Sequence, residues 1–144
     1  MSDGTGMWFG VIVVIALSVI VYFLMSGTLP KAAKPSISSI SPDSAVTGMV
    51  IAINGSNFDY INDIAISHKN IILLGNTAYL NNISSKNGKT LFFNLTDLLR
   101  ACPKTQLKPG ERCPDIGIGL PKGDIEIRVI NKNGESNPIG LKIS

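Results

Sequence analysis

Side chains that commonly carry chemistry are scarce in this 144-residue chain. It has one histidine, His68, so a catalytic triad or a cysteine–histidine pair would have a single possible base and no evident partner. The only cysteines, Cys102 and Cys113, do not form the CxxC spacing that is typical of zinc sites. We therefore expect no enzyme activity, no metal and no cofactor.

Concentrated positive charge is also missing. The formal net charge is +3 and no two lysines or arginines are adjacent, so the sequence lacks a basic stripe for nucleic acid. The single tryptophan, Trp8, lies in an apolar run, which leaves Tyr60 and Tyr79 as weak candidates for a carbohydrate platform. The oxygen-rich residues 57–63 lack EF-hand spacing and are interpreted as a polar loop. We predict no nucleic-acid partner and no small-molecule substrate.

Charge is absent altogether between Asp3 and Lys31. This stretch contains a 19-residue apolar run that begins at Met7 and ends at Met25. As an α-helix the run would be roughly 28 Å long, about the thickness of a bilayer's hydrocarbon core. Aromatic residues near both ends resemble interfacial anchors. The pattern predicts a transmembrane or signal-anchor helix over residues 7–26, with the lipid bilayer as the partner of residues 7–25.

Three fates of this helix remain open on the sequence. A retained anchor is favoured, because the first six residues lack the basic region of a secretory signal. A cleaved signal is the second alternative. The third is a pilin-type leader cut between Gly6 and Met7, although Val11 stands where bacterial pilins carry a glutamate.

Two features give opposite indications of membrane orientation. Lys31 and Lys34 follow the helix, and the positive-inside rule would place them in the cytoplasm. Against them, Cys102 and Cys113 flank a short polar loop, as disulfide-bonded cysteines of exported proteins do. The alternative is two unrelated thiols. We predict a Cys102–Cys113 disulfide and export of the domain that follows the helix.

Residues after the helix carry the alternation of half-buried strands. The clearest segments are residues 49–53, 77–83, 91–95, 124–129 and 139–143. Asn87-Gly88 and Asn133-Gly134 are predicted to close hairpins. About seven short strands indicate an all-β chain with an immunoglobulin-like β-sandwich. We divide the chain into a tail (1–6), the helix (7–26), a linker (27–34) and a β domain (35–144).

The β domain resembles the IPT/TIG family of immunoglobulin-like sandwiches. Four stretches carry the resemblance, together with Gly48: PSISSISP (35–42), IAINGSNF (51–58), LGNTA (74–78) and IRVINKNGESN (127–137). The matched residues are mostly structural: Gly55 is expected to permit a bend and Phe58 to fill one end of the core. Family members occur in receptors, bacterial surface proteins, starch-acting enzymes and Rel-type transcription factors, so the resemblance leaves the function open.

Residues 96–121 form an insertion that is longer than the usual connection in this family and contains both cysteines. Because a filled sandwich leaves no internal cavity, we expect binding to depend on loops. The predicted partner contacts are Lys104, Gln106, Lys108 and Arg112 in the insertion, and Asp59, Tyr60 and Asp63 in the preceding turn.

The sequence as a whole predicts a single-pass, membrane-anchored surface module that serves adhesion, presentation or envelope assembly. Its domain would lie on the extracytoplasmic side and bind an unknown protein or surface partner, which includes another copy of itself. The alternative is a pilin-like filament subunit or a secreted domain. A DNA-contacting module of the Rel type is disfavoured by the apolar run and the scattered charge.

Overall fold

The computed structural model describes residues 31–71, 76–96, 98–114 and 117–144, together with Ile15 and Val21. The chain divides into two compact units, Met1–Ala32 and Ala33–Ser144. The predicted membrane helix lies outside the described residues except for Ile15 and Val21, which are both helical. Among the described residues, no helix has the length and apolar character needed to cross a membrane.

The second unit is all-β. Its described strands are β1 (Ser36–Ser41), β2 (Ser44–Ala45), β3 (Val50–Ser56), β4 (Ile61–Ser67), β5 (Thr77–Ser84), β6 (Thr90–Asn94), β7 (Leu98–Leu99), β8 (Ile118–Gly119), β9 (Gly123–Asn131), β10 (Gly134–Glu135) and β11 (Ile139–Ile143). A 3-10 helix, Lys104–Gln106, lies between β7 and β8. Seven of these strands have five or more residues, in agreement with the predicted number, and the other four have two residues each.

Two main sheets face each other across one core. The smaller has the order β1-β3-β6, and the larger has the order β2-β11-β9-β4-β5, with β10 beside β9. All pairs in them are antiparallel except β2 with β11. Ile51 and Ile53 from the small sheet join Ile127 and Val129 from the large sheet in one cluster of fully buried side chains. Burial at every second residue is what the sequence alternation predicted.

The central strand β4 is where the sequence prediction was wrong. Residues 57–63 were interpreted as a polar loop, but β4 begins at Ile61 and lies between β9 and β5. Asn62 and Asp63 are completely buried in it. The strand is buried on both faces from Asn62 to Ile66, so it shows no alternation that the sequence could reveal.

The two predicted hairpin turns have different outcomes. Gly134 pairs with Asn131 across the turn between β9 and β10, which confirms the hairpin at Asn133-Gly134. The Asn87-Gly88 turn instead connects β5 of the large sheet with β6 of the small one. That hairpin prediction was wrong, because Asn-Gly specifies a reversal of the chain but not the strand with which the next segment pairs.

Gly55 is required for close approach rather than for a bend. It lies inside β3, opposite Ile37 of β1. A Cβ at this position would overlap the backbone carbonyl of Ser36 and would lie 2.6 Å from the ring of Phe58. Phe58 is 6% exposed and belongs to the core cluster, as expected for a residue that closes one end of the core.

We predict that Gly55→Ala lowers the free energy of unfolding by about 2–3 kcal/mol, because β1 or the Phe58 ring must move to admit the methyl group. Gly140→Ala is the matched control, since Gly140 also lies in a strand but a Cβ there would meet no atom within 4 Å. The control should change stability by less than about 0.5 kcal/mol. Urea unfolding midpoints test the prediction, and equal midpoints for the two variants would contradict it.

Candidate binding surface

Two buried asparagines hold the turn that precedes β4 through hydrogen bonds to its backbone. The side-chain oxygen of Asn62 accepts the backbone N–H of Asp59 at 3.0 Å, and its amide donates to the Asp59 carbonyl at 2.6 Å. Asn131 of β9 donates to the Asn57 carbonyl at 3.1 Å. Asn57 has a φ of 59°, a conformation that asparagine tolerates better than most residues. Because these buried amides have partners, they hold the turn in one conformation.

Asp63 ties the cysteine-bearing insertion to the sheet. One carboxylate oxygen accepts both the backbone N–H of Thr105 at 2.6 Å and its hydroxyl at 2.7 Å. The other accepts the backbone N–H of Asn82 on β5 at 3.1 Å. Asp63 is 0% exposed, so the prediction that it contacts a partner was wrong. A buried carboxylate needs hydrogen bonds from its surroundings, and here they come from two separate parts of the chain.

The insertion also covers the edge of the large sheet. Tyr79 of β5 and Arg100 exchange two backbone hydrogen bonds of 2.9 and 2.7 Å. Asn81 donates to the Cys102 carbonyl at 3.2 Å. The structure confirms the disulfide between Cys102 and Cys113, whose Cα atoms are 5.8 Å apart. The first part of the insertion, through Cys102, therefore covers this edge strand.

A shallow depression of about 440 Å³ lies where the turn, the insertion and the β9–β10 hairpin meet. We call it the Tyr60 surface, and its residues are Asp59, Tyr60, Ile61, Asn82, Lys104, Thr105 and Lys132. Tyr60 is 74% exposed and Ile61 is 47% exposed. The ammonium group of Lys132 lies 3.6 Å from the Asp59 carboxylate. The surface thus combines an exposed apolar pair with lysines at its rim.

The structure brings together three of the seven predicted contact residues, namely Asp59, Tyr60 and Lys104. Gln106, Lys108 and Arg112 are exposed elsewhere on the insertion and do not line this depression. Sequence reasoning missed Ile61, Asn82, Thr105 and Lys132. Lys132 lies within the matched stretch 127–137, but no local signal indicates that its hairpin lies beside a turn some 70 residues earlier.

A larger, wide hollow of about 970 Å³ lies at the opposite end of β4, beside Ser67. His68 lines it, and its Nδ1 accepts the backbone N–H of Asn70 at 3.1 Å. Lysine side chains and carboxylate side chains line its walls. In the described part of the chain, none of the strongly exposed large hydrophobic side chains lines this hollow. Two of them, Tyr60 and Ile61, line the Tyr60 surface. We therefore regard the smaller depression as the better binding surface.

Tyr79 offers a different environment from Tyr60. Burial raises the pKa of the Tyr79 hydroxyl above its ordinary value, and the nearby Glu135 carboxylate raises it further. Tyr79 therefore stays neutral on a half-buried face of the large sheet. The pKa of the Arg128 guanidinium is also raised, mainly by its hydrogen bond to Glu135 and less by its hydrogen bond to Glu126.

In the described residues, no group of three or more histidine, cysteine or acidic side chains could hold a metal ion.

Comparison with known protein families supports the β-sandwich fold described above. The IPT/TIG domain model matches residues 35–110, which is more than half of the chain, and the chain belongs to that family. The match ends within the insertion, between the two cysteines. No curated protein matches the chain.

Among solved structures, the chain is similar to SGBP-B from a complex xyloglucan utilization locus in Bacteroides uniformis. The two share 19% sequence identity and superpose with a TM-score of 0.45. The similarity covers 77% of this chain but only 23% of the other protein. This chain therefore corresponds in size to a small part of that larger molecule.

We predict that Asp63→Asn loosens the insertion, because an amide cannot accept all three hydrogen bonds that the carboxylate accepts. The free energy of unfolding should fall by about 2 kcal/mol. Hydrogen exchange at the Thr105 amide should accelerate more than exchange in β9. Asp43→Asn, at an exposed carboxylate, is the control and should leave both quantities unchanged. Unaltered exchange at Thr105 in the Asp63 variant would show that this carboxylate does not hold the insertion.

Proposed function

We propose that this chain is a non-catalytic, surface-displayed binding module, anchored in a membrane by residues 7–26, that engages a protein partner through the Tyr60 surface. One observation carries the proposal: Tyr60, on a turn that buried asparagines hold, and Ile61, the first residue of β4, are both strongly exposed. A fixed turn loses little conformational entropy when it binds. Tyrosine is also among the residues that contribute most to protein interfaces.

The rim of the surface defines the chemistry of the partner. Lys104 and Lys132 are both exposed beside the apolar pair. The Asp59–Lys132 ion pair is 3.6 Å long and its lysine is 74% exposed, so it contributes little to stability and can be exchanged at small cost. A partner that places an acidic side chain against these lysines and an apolar groove around Tyr60 satisfies both features.

Substitution of single residues tests this proposal better than deletion of the loop. A linker in place of residues 103–112 would remove Thr105 and leave the Asp63 carboxylate buried without two of its donors. Such a variant would lose stability for reasons unrelated to binding. Tyr60 and Lys104 can be changed without touching that contact.

We predict that a photo-crosslinking amino acid at position 60 captures an envelope or surface protein on intact cells, and that one at position 68 does not. With the captured protein purified, Tyr60→Ala should weaken binding at least about tenfold. Lys104→Glu should weaken it more at low salt than at high salt, because that contact is electrostatic. His68→Ala, at the opposite end of β4, is the control. Equal affinities for the Tyr60 and His68 variants would rule out the Tyr60 surface.

A filament subunit is the second candidate, favoured by the Gly6-Met7 sequence ahead of the apolar run. In that case the run would pack with its copies in a filament core while the β domain faced outward. Both functions use the same folded domain. They differ in how the N-terminal segment is processed.

N-terminal sequencing of the native protein distinguishes the two. For the anchored module we predict that the chain begins at Met1 or Ser2, because the segment lacks a basic signal region and a clear cleavage site. The sequenced protein should be recovered from the membrane fraction. A chain that begins at Met7 would contradict the anchor and support the filament. One that begins beyond Ser26 would mean a released domain.

A further inference from the structure

Within the described residues the two main sheets have four edge strands, and three of them are protected against pairing with another chain. β1 has a bulge between Ile37 and Ser39, β2 has two residues, and β5 is covered by the insertion. These are the usual devices by which proteins protect sheet edges. The fourth edge, β6 (Thr90–Asn94), pairs with β3 in an unbroken register and contains no charged residue.

The register shows which backbone groups of β6 point to the open side. Leu95 donates to the Met49 carbonyl at 2.8 Å, directly after the last residue of β6. In an antiparallel ladder the same direction recurs at every second residue, so Leu91 and Phe93 also bond β3. The N–H and C=O groups of the alternate residues, Thr90, Phe92 and Asn94, therefore point away from β3.

The outward backbone groups of Thr90 already have hydrogen-bond partners within the same chain. Its N–H donates to the side-chain oxygen of Asn87 at 2.9 Å, and its carbonyl accepts the Ser85 hydroxyl at 2.8 Å. Within the described residues, the outward backbone groups of Phe92 and Asn94 have no protein partner. Phe92 is also 64% exposed, which is unusual for a phenylalanine in a small domain.

We infer that β6 pairs with β6 of a second copy of this chain, antiparallel and about a two-fold axis at Phe93. Phe92 of one copy then lies opposite Asn94 of the other, and the reverse pair forms by symmetry. This register satisfies all four outward groups of each copy and leaves the Thr90 contacts intact. The two Phe92 side chains become diagonal neighbours on the outer face of a continuous six-stranded sheet, within reach of each other.

The absence of charge makes β6 suited to pairing with itself. A charged strand would place like charges close together across a two-fold axis. Here the nearest charge before the strand is Lys89, and in this register the two Lys89 residues are separated by eight positions, about 27 Å along the strand. That separation exceeds the screening length at physiological salt. Because the ribbon is short, the dimer is weak and exchanges readily.

Cross-linking tests the register directly. Chains of full length that carry Phe92→Cys are mixed with chains that carry Asn94→Cys, each with its own tag. Opposite residues of a hydrogen-bonded pair have Cα atoms about 5.5 Å apart, which permits a disulfide. We expect the mixed disulfide to form at least about tenfold faster than one between Val50→Cys and Asn94→Cys. Val50 is a matched control, since it is 57% exposed on the same sheet but lies on the central strand β3. Equal rates for the two mixtures would overturn the proposal.

The equilibrium provides a second test with full-length chains in micelles. Asn94→Pro removes an outward N–H while leaving the bonds to β3, so two hydrogen bonds are lost per dimer. The dissociation constant should rise about thirtyfold. Phe92→Lys should also weaken the dimer by placing charge at the edge, and Val50→Lys should not. A dimer that survives both β6 substitutions, or that is lost equally with Val50→Lys, would refute pairing through this edge.

Discussion

Two adjacent buried polar side chains, Asn62 and Asp63, hold one end of this domain together. Asn62 binds both backbone groups of Asp59 and thereby fixes the turn before β4. Asp63 binds Thr105 of the insertion and the Asn82 amide of β5. Since both side chains are inaccessible to water, the loss of any one partner would leave an unsatisfied group in the interior. The geometry of the loops at this end therefore depends on hydrogen bonds to buried side chains rather than on contacts between surface residues.

This arrangement divides the insertion into parts with different roles. Its first part, through Arg100 and Cys102, covers the edge of β5 and completes the large sheet. The 3-10 helix Lys104–Gln106 is held against Asp63, which places the exposed Lys104 beside Tyr60. Without these contacts, a loop closed by a single disulfide would retain many conformations. The buried carboxylate thus holds a disulfide-closed loop in a defined shape.

The sequence predicted most of the strands because they alternate between core and solvent. β3, β6, β9 and β11 each present one apolar face, and this periodicity survives in the chain itself. β4 lacks it, since residues 62–66 are buried whichever way they face. Its first buried residues are also Asn62 and Asp63, which are more common in turns than in strand interiors. A polar residue becomes acceptable inside a sheet when distant segments supply its hydrogen-bond partners, and those segments cannot be identified from local sequence.

The sequence by itself determined the all-β fold class, the family to which the domain belongs and the pairing of Cys102 with Cys113. It did so because alternation, turn residues and isolated cysteines are local properties. Only the tertiary structure decided that Asp63 is buried and that Tyr60 lies beside Lys104 and Lys132. Tyr60 is more than 40 positions from either lysine in the sequence, and the three residues meet because β4 pairs with β9 while the insertion folds back onto β5. Long-range pairing of strands, which depends on the packing of the whole core, therefore created the candidate surface.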